Sequence, residues 1–177
     1  MLPMELEAAL AANHSAVEEF IATARAMNAQ QWTTPRAPGK WTPAQIAEHL
    51  AITYEWGVEL VKGTPPGGGA PFFMRPLIRR MFVIPSLKAG RFTRTGKTLK
   101  IFEPSAAPPA SAVVLPRLES AVASFETAIR SGSPEVRQTL NHPFFGSIPT
   151  TDYLKLQSIH ARHHHAQLAA SAGAAAS

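Results

Sequence analysis

The sequence predicts an all-α protein, a four-helix bundle with a long, irregular, basic connection between its second and third helices. Apolar residues recur at helical spacing in four separate segments, and no segment reads convincingly as a strand. In addition, three histidines, His49, His160 and His164, fall near the centres of apolar helix faces. A chain of 177 residues, 45 % of them hydrophobic, is long enough for one domain with a sizeable core. The expected domain spans residues 1–170, with 63–108 as an irregular basic insertion and 171–177 as a flexible tail.

The first helix is expected from Glu5 to Met27, where Leu6, Leu10, Val17, Phe20, Ile21 and Ala24 keep one face apolar. His14 lies beside Leu10, Val17 and Ile21, so it too is expected to look inward. The second helix runs from about Pro43 to Val61. Thr42-Pro43-Ala44-Gln45 reads as a capping box, with proline at the first helical position and glutamine at the third. On this helix Ile46, Ile52, Trp56 and Leu60 all lie within about 60° of His49. His49 therefore looks into the core. Glu48, about 100° away, is a poor candidate for a metal ligand.

The run Gly63-Thr64-Pro65-Pro66-Gly67-Gly68-Gly69 stops the second helix. Between Glu59 and Glu103 there is no acidic residue, yet nine of the 17 basic residues fall there, from Lys62 to Lys100. Such a segment could steer an anionic substrate, or lie on a membrane surface through Phe72-Phe73-Met74 and Met81-Phe82-Val83-Ile84. Nucleic acid is not expected, because no recognised binding motif accompanies the charge. The preferred reading is a solvated basic loop packed by its own apolar residues over the bundle.

The third helix is expected from Leu115 to Ser131 through Leu118, Val122, Phe125 and Ile129, closed by Gly132. His142-Pro143-Phe144-Phe145-Gly146 reads as a turn whose phenylalanines plug the bundle end, in preference to a ligand role for His142. The fourth helix starts near Thr150 or Thr151, with Asp152 favourable in its first turn. Tyr153, Leu156, Ile159 and Leu168 centre its apolar arc on His160 and His164, while Lys155, Ser158, Arg162 and His165 lie opposite. His163 sits at the edge of that arc, about 60° from His160.

Residues four apart stack one turn above the other, so His160 and His164 can aim at one ion, with His49 supplying a third nitrogen from the facing helix. Two neutral imidazoles in a core need partners that aliphatic neighbours cannot supply. With no cysteine in the chain, disulfides, thiolate metal sites and a cysteine nucleophile are excluded, and any ion must be held by nitrogen and oxygen. Three protein ligands leave a position open, the arrangement of a catalytic site. The expected chemistry is activation of a bound water or a low-molecular-weight thiol for transfer or hydrolysis. Gln167, one turn beyond His164, is the candidate catalytic residue, placed to hydrogen-bond a metal-bound water.

The segment Trp41-Thr42-Pro43-Ala44-Gln45-Ile46-Ala47-Glu48-His49-Leu50, the His142-Pro143-Phe144-Phe145-Gly146 turn and His160-x-x-His163-His164-x-x-Gln167 together resemble the DinB/YfiT-like superfamily of bacterial four-helix proteins. The resemblance covers most of the chain and lies nearest a branch marked by the His-Pro-x-Phe-Gly turn. It implies a divalent ion, commonly nickel or zinc, on three histidines, which map onto His49, His160 and His164. It also implies a small-molecule substrate, such as an anionic thiol of the bacillithiol or mycothiol kind, and, by analogy alone, a homodimer. The acidic N-terminus and the lack of a long apolar run make a cytoplasmic protein without a transmembrane segment the expectation. The alternative is a non-catalytic bundle with a structural ion or none, using its basic loop for a partner or a membrane surface.

Overall fold

Four long helices form the bundle: α1 (Met4–Arg25), α3 (Pro43–Val61), α6 (Ser111–Ser131) and α8 (Thr150–Ala174). This computed structural model describes residues 2–94 and 96–174, with side chains as far as Leu168. Shorter elements fill the connections: α2 (Ala29–Thr33), α4 (Arg75–Ile78), a π-helical turn (Arg79–Val83), α5 (Ile84–Ala89), a 3-10 turn (Lys100–Phe102) and α7 (Pro134–Gln138). A hairpin of β1 (Thr139–His142) and β2 (Gly146–Pro149) leads into α8.

The all-α four-helix bundle is what the periodicity predicts, and the apolar stripes explain its assembly. Helix α1 packs chiefly on α8 and α3 chiefly on α6, and the two pairs meet where α3 touches α8 and α1 touches α6. Leu6, Leu10, Phe20, Ile46, Leu50, Leu118, Phe125 and Leu154 are essentially fully buried between them. Burying one such side chain contributes about 1.5–3 kcal/mol. Close contact of α3 with α8 is the feature that matters for function, because it sets His49 against His160.

The capping box at Thr42 forms as the sequence predicts. The Gln45 amide N–H donates to Thr42 Oγ1 at 3.2 Å, and Gln45 Oε1 accepts from the Thr42 amide at 3.0 Å. Asn28 and Gln31 build the same reciprocal cap on α2, a helix the periodicity overlooked because five residues carry no period. Helix α6 begins at Ser111, four residues before the expected Leu115, and holds Pro116 inside its early turns. As the sixth residue of the helix, the proline lies past the first four amides, which lack partners anyway, so it removes the one intrahelical bond that would reach back to Ala112 O.

The structure corrects two expectations. A strand pair exists after all: Thr139 to His142 runs antiparallel to Gly146 to Pro149, with Leu140 opposite Ile148, both buried. Four-residue strands lie below the length at which alternation is visible. Gly146, at φ +71, closes the turn in a conformation that side-chain-bearing residues disfavour.

The second correction concerns the insertion. Only some of its apolar residues pack on the bundle, Val83, Leu87 and Phe102 among them; Phe72, Phe73, Leu77 and Met81 are exposed. The segment is nevertheless anchored. Trp56 Nε1 donates to Pro66 O at 2.9 Å, Arg79 Nη1 to Ser147 O at 2.7 Å, and Ala70 N to Pro143 O at 3.1 Å. At Gly69 a Cβ would lie 2.6 Å from Pro143 O, so only glycine lets the insertion pass this close to the hairpin. Among the described residues no helix is long and apolar enough to cross a membrane. The expected fraying beyond Leu168 falls on residues whose side chains or placement lie outside those described.

Candidate metal centre

His49 reaches the bundle interior from the second turn of α3, with the ring of Trp41 lying 4.9 Å from it, centroid to centroid. Its Nδ1 lies 2.7 Å from the backbone carbonyl of Phe102, in the 3-10 turn of the insertion. A carbonyl only accepts, so Nδ1 carries the proton and Nε2 presents a bare lone pair. His164, on α8, is held the same way: its Nδ1 lies 2.9 Å from Gln167 Oε1, which again leaves Nε2 unprotonated. His160 sits between them. Its Nε2 is 3.0 Å from His49 Nε2 and 3.0 Å from His164 Nε2.

Three neutral imidazoles in this geometry do not satisfy one another. Two of the converging nitrogens are acceptors, and His160 Nε2 brings one proton at most, so at least one lone pair faces another. A cation resolves the conflict. A proton is disfavoured, because burial pulls the basicity of all three rings down. His164 falls to about 3 through burial first and then through His49. His160 keeps part of its surface toward a cavity but is densely enclosed by protein, and burial holds it well below the ordinary histidine value, with His164 and His49 adding to the effect. A divalent ion needs no such protonation. Metal–imidazole bonds of about 2.0–2.1 Å at angles between 90° and tetrahedral place two ligand nitrogens roughly 2.8–3.4 Å apart. The observed 3.0 Å contacts fit that spacing, and the three ligand atoms all lie within 4.8 Å of one another. These three histidines could therefore hold a metal ion.

The cluster forms one wall of a cavity of about 520 Å³. Ile78, Phe82, Phe92, Phe144, Phe145 and Leu156 give it an apolar interior. Arg94 and Lys97, from the basic insertion, add positive charge, and no carboxylate lines it. Deeper in, Thr53, Tyr153, Gln157 and His142 contribute polar atoms. Gln157 Nε2 donates to the Tyr153 hydroxyl at 2.8 Å. A surface hollow of about 710 Å³ beside His14, Glu18 and Glu126 has more room, but no group of converging ligands faces it. The converging ligand atoms belong to the histidine cavity.

The remaining candidates divide by what they touch. Gln167 has a histidine at each end of its amide, Oε1 on His164 and Nε2 on His163 at 2.9 Å. This arrangement positions the His164 ring; the sequence suggested that Gln167 contacts a metal-bound water. His163 is half-buried, with its ring beside Phe92 at 5.4 Å and His164 at 5.2 Å, and it meets Gln167 Nε2. His165 ties α8 to α1 through Thr23 Oγ1 at 2.8 Å. His14 does not look inward: it is exposed and faces Glu126 at 3.2 Å and Glu18 at 3.4 Å, because carboxylates on α6 and one turn along α1 draw it to the surface.

Glu48 stays off the centre, as its angle predicts. Its carboxylate accepts from Ser105 N at 2.9 Å and Ser105 Oγ at 2.7 Å, which pins the returning insertion to α3. His142 is buried, stacks on Phe145 at 4.1 Å and accepts the Phe144 amide, so it serves the turn. Sequence reasoning missed the Phe102 carbonyl, whose role is a backbone property without a side-chain signal. It also missed Tyr153 and Gln157 as polar lining, although their four-residue spacing was visible.

Comparison with known proteins agrees with this architecture. The DinB superfamily model matches residues 8–168, so the chain belongs to the DinB superfamily. A solved structure described as TT2238, a four-helix bundle protein, superposes with a TM-score of 0.57 at 21 % identity, over 93 % of this chain and 98 % of that one. At that identity the likeness shows the fold alone. No curated protein matches the chain.

Proposed function

We propose that this protein is a metal-dependent enzyme acting on a small molecule, with His49, His160 and His164 as ligands of one nickel or zinc ion. The observation that carries the proposal is the convergence of three imidazole nitrogens, two of them fixed as bare acceptors, on the wall of a cavity. The ion would supply Lewis acidity, lowering the pKa of a water or thiol beside it so that a nucleophile is available near neutral pH.

The chain's own residues do the rest. Phe102 O and Gln167 Oε1 fix the tautomers of two ligands, as outer partners of metal-binding histidines commonly do. The aromatic walls receive an apolar body. Arg94 and Lys97 attract an anionic end, so the substrate class that fits is a small anion with an apolar portion, an acidic thiol among them.

The test is elemental analysis of untagged protein purified without a nickel column, together with titration of a small thiol into the cobalt-substituted form. About one ion per chain, with visible bands that shift on thiol addition, supports a site with an open position. Protein that takes up no ion, or an ion whose spectrum no thiol or small anion perturbs, overturns the enzyme reading in favour of a non-catalytic bundle.

A further inference from the structure

The insertion carries a second apolar stripe that the bundle does not use. Met74, Leu77, Met81 and Ile84 recur at intervals of three, four and three along α4, the π turn and α5, so they share one side of a helical rod. All four are exposed, and Phe72 and Phe73 at the head of the rod are 80 % and 69 % exposed. The other side is partly occupied: Val83 and Ser86 are buried, and Ile78 and Phe82 line the cavity, although Phe82 keeps 40 % of its surface exposed. The rod is thus amphipathic twice over, with one side spent on the fold and one left to solvent. Contiguous exposed apolar surface of this kind marks an interaction site.

Charge identifies the occupant. Arg80, Lys88 and Arg91 are exposed around the stripe, and none of them makes an ion pair among the described residues. No acidic residue occurs between Glu59 and Glu103. A second copy of the chain is a poor partner, because a symmetric contact sets the patch against itself and opposes like charges. Apolar side chains flanked by uncompensated cations match the boundary between acyl chains and anionic headgroups. We propose that residues 72–91 dock this protein, without spanning, on an anionic lipid surface. The stripe enters the acyl boundary while Arg80, Lys88 and Arg91 meet phosphate. Because the same rod walls the cavity through Ile78 and Phe82, docking places the histidine site beside the lipid surface.

The experiment is flotation of the full chain with vesicles of equal parts phosphatidylcholine and phosphatidylglycerol, beside vesicles of phosphatidylcholine alone. The wild type is expected to float with the anionic vesicles and to remain in solution with the neutral ones. The double variant Leu77→Glu/Met81→Glu should lose at least about tenfold in partitioning. Arg80→Glu should bind less and show a weaker dependence on salt, since Lys88 and Arg91 remain. Because these side chains are exposed, unchanged melting curves and unchanged metal content show that the fold and centre are intact, which separates this proposal from the metal reading. Absence of flotation with anionic vesicles overturns it, as does a double variant that floats like the wild type. Retention on immobilised polyglutamate without flotation also overturns it, in favour of an acidic protein partner.

Discussion

Two of the buried polar clusters in this bundle are built to opposite rules. Between α1 and α3 the Tyr54 hydroxyl donates to Asn13 Oδ1 at 2.7 Å, and both residues are fully buried. Donor meets acceptor, and apart from Asn13 Nδ2 the pair is closed. Between α3 and α8 the three histidines meet acceptor to acceptor, with Phe102 and Gln167 holding the protons on the far side of two rings. A closed pair ties helices together and asks for nothing more. A cluster of opposed lone pairs is complete only with a cation, which is why the first reads as structure and the second as a site.

The sharpest way to break that contrast is to remove the central ring. His160→Ala deletes the nitrogen that touches both others, and metal affinity should fall by more than about a hundredfold, beyond the effect of losing an outer partner. Equilibrium dialysis with zinc measures it. The apo variant should be no less stable than the apo wild type, since it no longer buries opposed acceptors. A wild type that binds no ion more tightly than the variant would remove the distinction between the clusters.

Acid separates the clusters next. His142 and His164 titrate near 3 in the folded protein against an ordinary 6.5, both through burial first. The unfolded chain therefore binds protons at a pH where the folded chain does not. Stability is full above about 6.5 and declines as pH falls toward 3, by about 1.4 kcal/mol per pH unit for each histidine so held. Apo protein should unfold within that window, and zinc should move the midpoint to lower pH. The tyrosine cluster contributes no change there, because burial raises the Tyr54 phenol further above its ordinary range. Circular dichroism against pH, with and without zinc, decides it; flat stability from 6.5 to 3 would show that the histidines are hydrated in solution.

Much of this was legible in the residues. The long helices, the Thr42 cap and the inward direction of His49, His160 and His164 follow from period and spacing, which act within a few turns of one helix. The ring order of the helices did not follow, nor did the role of Phe102 O, because both depend on where a long insertion returns. His14 shows the limit from the other side. Its place beside Leu10, Val17 and Ile21 pointed inward, but Glu18 and Glu126 offered partners at the surface, and the face of a helix is decided by its neighbours as well as its sequence.

Gln167→Leu tests whether the outer partner shapes the site. The leucine keeps the volume but removes the acceptor from His164 Nδ1, so the ring is free to adopt the tautomer that places its proton toward His160. Metal affinity should fall by roughly 10–100-fold, with no large loss of stability. A smaller change, measured by competition with a chromophoric chelator, would mean that the metal itself selects the tautomer.

Tyr54→Phe completes the contrast, since its effect on the metal should be nil. The variant strips Asn13 Oδ1 of its donor, and the amide cannot reach water, so unfolding should become easier by about 1–3 kcal/mol. Adding Asn13→Leu removes the stranded amide as well, including the Nδ2 that already lacks a partner, and should recover most of the loss. Recovery in the double variant is the signature of a closed pair, because each half is needed only by the other. The histidines allow no such rescue: replacing all three with apolar residues could restore stability, but the ion would have nowhere to bind. If Tyr54→Phe instead changes zinc uptake, the two clusters are coupled through α3, and the division between a structural and a functional polar core fails.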